Sequence, residues 1–246
     1  MTVNDVEALH AAREALRSAL GHALFDDLLA RYKALEDSGP YAPTPEAIGR
    51  RSLRNRLLGY LLAGDMHAGG DLCEAQYERQ HNMTDVMAAL ALLAGSRLPA
   101  RRRVLDDFER RWRRDPLVMD KWFSAQAVST QPETLKQVRA LMSHPAFSMS
   151  NPNKVRALIG AFANGNPLRF HAADGSGYKF IGEQVLALDT DNPQIAARLL
   201  RALSRWRRFD TSRQALMRGV LEEVAAARVS KDVYEIASKS LEVRDA

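Results

Sequence analysis

Apolar residues recur at spacings of three and four along almost the whole chain, and the strict alternation that strands require is hard to find. Leu and Ala heavily outnumber Val, Ile and Thr, so local preference agrees with the periodicity: unbranched side chains lose little rotamer freedom in a helix, whereas β-branched ones suit strands. An all-α fold is therefore expected. Val6, Leu9, Ala12, Leu16 and Leu20 mark one face of an opening helix, and Leu24, Leu28 and Leu35 mark a second segment. Gly39-Pro40, Pro43 and Pro45 interrupt the pattern, which Ile48, Leu53, Leu57, Leu58 and Leu61 resume until the glycines at 64, 69 and 70.

Further helices are expected at about 71–80, 84–94, 100–113, 116–128, 132–142 and 152–164, and, after the turn Asp174-Gly175-Ser176-Gly177, at about 178–189, 193–207, 211–227 and 231–243. Thr84 stands where it can cap the helix carrying Val86, Met87, Leu90 and Leu93. Pro116, Pro132 and Pro152 stand at first-turn positions after Asp115, Gln131 and Asn151. Short connections make consecutive helices antiparallel neighbours, which suits either a globular bundle or stacked helix pairs of the armadillo or HEAT sort. Stacking is the expectation, although no repeat of fixed length is visible.

The chain has 246 residues, 46% of them hydrophobic and 26% charged, which supports a folded core and disfavours disorder. No run of apolar residues is long enough to span a membrane, and the opening MTVNDVEALHAAREAL is amphipathic rather than a signal peptide. The lone Cys73 has no intrachain partner and too few neighbours for a structural zinc site, so a buried inert thiol and a cytoplasmic home are expected. A net charge of +5 is modest for this length.

Candidate chemistry is sparse. The histidines at 10, 22, 67, 81, 144 and 171 contain no H-E-x-x-H spacing. His67, Asp71 and Glu74 form the most ligand-like local set, read as solvated or capping groups. Asp174-Gly-Ser-Gly-Tyr-Lys179 lacks Walker spacing and is read as a tight turn entering a helix. Ser124 and Ser176 have no G-x-S-x-G setting. Arg101 to Arg103, Arg110, Arg111, Arg113 and Arg114 flank Phe108 and Trp112, but Val104, Leu105, Phe108 and Trp112 share one helical face, which leaves the arginines as its solvated side. The segment 192–208 segregates most clearly: Ile195, Leu199, Leu203 and Trp206 form an apolar stripe, and Gln194, Arg198, Arg201 and Arg205 form another line. Such forked donors bind carboxylates or peptide carbonyls if they face a cavity, and are merely solvated otherwise.

From about residue 80 onward, HNMTDVMAALALLAG, DPLVMDKWFSAQA and MSNPNKVRALIGAFANGNPLRFHAADGSGYKFIGEQVLALDTDNPQIAARLL resemble the C-terminal domain of bacterial aminopeptidase N. VEALHAAREAL, RRSLRNRLLGYL and the closing KDVYEIASKSL also look like that domain, so the resemblance covers essentially all of 1–246 as a single helical domain. It implies a superhelix of stacked antiparallel helix pairs (an armadillo/HEAT-like α-α solenoid) that closes over a zinc-bearing catalytic domain and walls off a cavity. It also implies that this chain binds no cofactor and has no catalytic residue, the zinc belonging to the missing catalytic domain, since H-E-x-x-H and G-A-M-E-N are absent here. The implied partners are the N-terminal and catalytic domains of the same polypeptide and the peptide substrate. The cavity-lining positions it implies are Gln194 and Arg198. A long upstream region is then expected, and Met1 need not be native. The rival readings are a free-standing helical-repeat scaffold for a protein partner and, behind it, a basic helical module for nucleic acid.

Overall fold

The computed structural model describes residues 3–37 and 39–242; Met1 and Val243 lie outside them. The described residues are helical and contain no strand, and the chain forms two compact units: His10–Asp115, and Met1–Leu9 with Pro116–Ala246. The helix α1 (Val6–Ala23) begins in the latter and continues into the former.

In the unit His10–Asp115, α2 (Phe25–Ala34), α3 (Pro45–Gly64), α4 (Met66–Arg79), α5 (Met83–Gly95) and α6 (Ala100–Trp112) follow α1. Each packs on the next from α2 to α5, α5 packs on α6, and α3 also touches α5, the neighbour-on-neighbour order of stacked helix pairs. Leu58, Leu61, Cys73, Leu90, Leu93, Val104 and Phe108 are wholly buried between them. Burial of side chains of that size removes apolar surface worth ~2 kcal/mol each from water. Side-chain caps satisfy the first amides: Thr44 Oγ1 accepts from Ala47 N at 3.3 Å, Asp65 Oδ1 from His67 N and Ala68 N, and Asn82 Oδ1 from Asp85 N at 2.9 Å.

Two sequence expectations are corrected here. The cap of α5 is Asn82; Thr84 is an exposed residue of the first turn, because Asn82 also donates to Asp85 Oδ2 and so closes a box that Thr84 cannot. The helix α4 begins at Met66 and runs through Gly69 and Gly70. Those glycines are not breakers but close-approach positions: a Cβ on Gly69 would stand 2.4 Å from Leu62 Cα, and one on Gly70 2.6 Å from a Leu98 methyl.

The other unit comprises α7 (Pro116–Ala127), α8 (Thr134–Leu141), α9 (Pro152–Val155), a π-helical turn Arg156–Gly160, α10 (Ala161–Gly165), α11 (Pro167–Phe170), α12 (Ser176–Asp189), α13 (Pro193–Leu200), α14 (Thr211–Ala226) and α15 (Lys231–Leu241). From α9 to α10 the path is one helix with a π-turn inside it. Pro116 and Pro152 open their helices, whereas Pro132 lies in the turn before α8, whose Thr134 hydroxyl sits 2.8 Å from both Ser129 O and Gln131 O. α12 packs on α13 and α14, and α15 on α13 and α14. Phe162 meets Phe170 and Phe180 edge-on at 6.0 and 5.8 Å, and Phe170 meets Tyr178 at 5.5 Å, an aromatic core with the geometry that ring quadrupoles favour. The expected helix 193–207 ends at Leu200 and tightens into short 3₁₀ turns, Arg201–Leu203 and Trp206–Arg208. The tightening delivers Trp206 Nε1 and Arg207 Nη1 to Ser240 O at 2.9 and 2.8 Å, and Arg207 Nη2 to Leu241 O and Glu242 O, carbonyls that the end of α15 would leave without partners. No helix among the described residues is long and apolar enough to cross a membrane.

Candidate functional site

The segregated faces of 192–208 appear as the sequence predicts. Asn192 caps α13 through Ile195 N, and Pro193 occupies its first turn. Leu199, Leu203 and Trp206 are buried and Ile195 is half-buried, while Gln194, Arg198, Arg201 and Arg205 are exposed.

Arg198, Ile195 and Leu199 form one wall of a cavity of about 260 Å³ whose other wall is Val155, Arg156, Gly160, Ala161 and Asn164. That second wall is the π-helical turn. Widening a helix by one residue displaces carbonyls from their regular partners, and here side chains take them up: Asn164 Nδ2 donates to Gly160 O at 2.9 Å, and the Ser124 hydroxyl lies 2.8 Å from Ala157 O. Lys154, almost wholly buried, anchors the start of the segment through Pro116 O at 2.6 Å and Asp120 Oδ1 at 2.7 Å. Arg156 is held by Asn153 Oδ1 at 2.9 Å. A Cβ on Gly160 would meet nothing closer than 3.7 Å, so the glycine leaves the wall open at that point.

The cavity lining thus brings together two arginines, Arg156 and Arg198, and the apolar residues Val155, Ala161, Ile195 and Leu199. A cavity with a lining of that composition is chemically suited to carbonyl or carboxylate oxygens beside carbon surface. Its lining holds no carboxylate, imidazole, thiol or hydroxyl, so it can bind and orient but offers no group for proton transfer or nucleophilic attack. Gln194 lies on the same helix outside that lining. Arg156 and Asn164 were not singled out from the sequence. Both lie in NPNKVRALIGAFAN, but helical periodicity cannot reveal a π-turn, and only the fold brings them opposite Arg198.

The remaining candidates resolve into structure. His67, Asp71 and Glu74 line a second cleft of about 390 Å³ with Leu98, Pro99 and Arg103, where Arg103 pairs with Glu74 at 2.5 Å and Glu78 at 2.9 Å. No group of three or more His, Cys, Asp or Glu side chains placed to hold a metal ion occurs among the described residues. Val104, Leu105 and Phe108 bury the apolar face of α6, and Arg110 and Arg111 both pair with Asp107, which also accepts from Tyr77 Oη at 2.9 Å. The Asp174 turn is built by Gly175 at φ +68° and Asp174 Oδ1 accepting from Ser176 N at 2.9 Å. Burial pushes the Cys73 thiol up to about 12, with the Glu74 charge adding to it, so the thiolate that reactivity requires is suppressed.

Two hydrogen-bond networks include buried polar side chains of each unit. In one, Gln76 Oε1 accepts from Arg54 Nη1 at 2.7 Å and Tyr32 Oη at 2.9 Å, and its Nε2 donates to Asn55 Oδ1 at 2.7 Å and Asp85 O at 2.9 Å. In the other, Arg213 donates to His171 O at 2.8 Å and Asp210 Oδ2 at 2.7 Å and pairs with Glu7, while His171 lies 3.0 Å from Tyr178 Oη and stacks on Phe209 at 4.2 Å. Neither network opens into a cavity described above, and both tie helices together.

The family described as a domain of unknown function (DUF3458_C) with ARM repeats matches residues 1–242. Aminopeptidase N of Escherichia coli strain K12 is 43% identical over 238 residues, 96% of this chain and 27% of that protein. Aminopeptidase N of Haemophilus influenzae is 39% identical over 97% of this chain and 27% of that protein, and the Caulobacter vibrioides protein is 40% identical over 96% and 28%. Among solved structures, aminopeptidase A of Legionella pneumophila in complex with aspartic acid superimposes with a TM-score of 0.90 at 31% identity, over 98% of this chain and 29% of that one. This chain therefore spans little more than a quarter of the length of the curated relatives it matches.

Proposed function

This chain belongs to the DUF3458_C family of ARM-repeat domains, the C-terminal domain of aminopeptidase N, and we propose that it is a non-catalytic cap over the active-site cavity of a zinc-dependent aminopeptidase. In this reading the catalytic part lies elsewhere in the polypeptide and supplies the metal, the general base and the activated water, since zinc hydrolysis needs all of them in one place. The two units described above act together as one domain. The lone buried Cys73 accords with a reducing cytoplasmic setting.

The single observation that carries the reading is the cavity between α13 and the π-turn, whose lining joins Arg198 and Arg156 to apolar residues and holds no catalytic group. A cap of this kind excludes folded proteins by size and holds the peptide beyond its first residue, so that binding energy remote from the scissile bond is used for orientation. Arg198 is assigned to substrate carbonyls or carboxylates, with Gln194 reaching the same peptide from outside the cavity.

The test is kinetic, in the intact polypeptide. Arg198→Ala is expected to lower kcat/KM for a tetrapeptide by ~10-fold, the loss of about 1.4 kcal/mol from a charge-assisted contact, and to leave a one-residue anilide within a factor of two. Equal losses on both substrates overturn the assignment, and peptide cleavage by this chain alone overturns the non-catalytic reading.

A further inference from the structure

The first helix is turned the opposite way from its pattern. Over its course in the unit His10–Asp115, α1 carries Leu16 and Leu20 on one face, continued by Leu24 just beyond its end, and these are 61%, 39% and 45% exposed. The face turned inward is instead polar or bare: His10, Glu14 and Arg17 are half-buried and Gly21 is buried. A surface helix ordinarily lays its leucine stripe on the core and its charges in water.

The cause of the rotation is local. Gly21 meets Gly64 at a backbone crossing so close that a Cβ on Gly21 would stand 2.2 Å from Tyr60 O, and one on Gly64 2.3 Å from Gly21 C. Only the glycine edge of α1 fits there. Arg17 adds a hydrogen bond to Gly59 O at 3.2 Å while paired with Glu14. The crossing fixes which side of the helix faces α3, and the leucines consequently face away. An isolated helix of this length is marginal in water, and its stability comes from packing an apolar face; among the described residues that packing is incomplete at Leu16, Leu20 and Leu24.

We propose that the leucine stripe of α1 is a docking surface for the remainder of the parent polypeptide. The proposal rests on the reading of this chain as one domain of a longer protein. Relatives carry a stretch 39–43% identical to this chain within polypeptides of which it makes up 27–28%, so an apolar surface that stays attached has far more material outside this chain to pack against than within it. A tethered surface also meets the stripe at an effective concentration that a second copy or a separate protein does not reach.

Leu16→Cys and Leu20→Cys, made singly in this chain and in the intact polypeptide, test the proposal. Cys73 is wholly buried, so in the isolated chain maleimide labelling followed by mass spectrometry of the α1 peptide reports the introduced thiol alone. Rapid labelling in the isolated chain, slowed ~100-fold or more in the intact polypeptide, is the expected result, because covered surface labels only through opening. Equal rates in both overturn the proposal. Protection that develops in the isolated chain as its concentration rises assigns the stripe to a second copy and also overturns it. Leu16→Glu gives a second measurement: the isolated chain keeps its helical signal and midpoint, whereas the intact polypeptide unfolds at a lower temperature. An unchanged midpoint in the intact polypeptide counts against the proposal. The cavity assignment is read separately by peptide kinetics, so the failure of one leaves the other standing.

Discussion

Gln76→Leu removes a side chain whose hydrogen-bonding capacity is entirely used. The amide has two acceptor and two donor positions, and Arg54, Tyr32, Asn55 and the Asp85 carbonyl occupy all of them at 2.7–2.9 Å. Leucine fills nearly the same volume, so the loss is polar rather than steric. Three neutral bonds at ~1 kcal/mol each and one to a guanidinium at about 2 kcal/mol would sum to ~5 kcal/mol. Asn55 keeps its bond to Asp85 Oδ1 at 2.9 Å, and the Arg54 guanidinium keeps its place over the Tyr32 ring at 4.1 Å, so about 4 kcal/mol is expected, a ~1,000-fold change in the folded ratio. The Nε of Arg54 is already buried without a partner, and the Asp85 carboxylate 4.0 Å from its Nη1 is the charge partner that the variant leaves it. Because the chain has two compact units, one melting curve does not isolate the effect. Native-state hydrogen exchange of α4 and α5 amides, beside urea unfolding, localises it. A loss below ~1 kcal/mol at those amides, with α12 to α15 unchanged, refutes the view that this network holds the unit together.

Other perturbations follow from single side chains. Burial, with the Arg213 charge adding to it, pushes the His171 imidazole down to about 4, whereas an unfolded histidine titrates near ~6.5. The unfolded chain therefore binds the extra proton first, and this contribution to stability is complete above pH ~6.5 and is lost as pH falls toward 4. Urea midpoints at pH 7 and 5 should differ less in His171→Phe, which keeps the stack on Phe209, than in the parent chain; an unchanged difference sinks the assignment. Gly69→Ala sets a methyl 2.4 Å from Leu62 Cα and should cost ~2–3 kcal/mol as backbone is forced apart. Gly49→Ala, also within a helix but with nothing within 4 Å of the new Cβ, should stabilise by ~0.5–1 kcal/mol. Chemical denaturation of the pair checks both signs.

Much of this architecture can be read from residue types. Asn151-Pro152 and Asn192-Pro193 announce their helices because cap chemistry is local, and the arginine line of 192–208 follows from helical geometry alone. What stays hidden is set by neighbours remote in the chain. Gly69 and Gly70 read as a break until Leu62 and Leu98 are seen filling the space where side chains would stand. Arg156 joins Arg198 only because a π-turn in one helix is packed beside another, and no spacing rule carries that information.

The leucines of α1 mark a different kind of limit. Their spacing correctly shows an apolar face, but periodicity says only that a face will be covered, never by what. The Gly21–Gly64 crossing decides which way that face points, and it points away from the core of the unit His10–Asp115. A pattern selected for burial and left exposed is evidence about the surroundings for which the sequence was selected. The stripe is thus the part of this sequence that describes a partner rather than the chain itself, and the cavity beside Arg198, open on its ligand side and without chemistry of its own, is incomplete in the same sense.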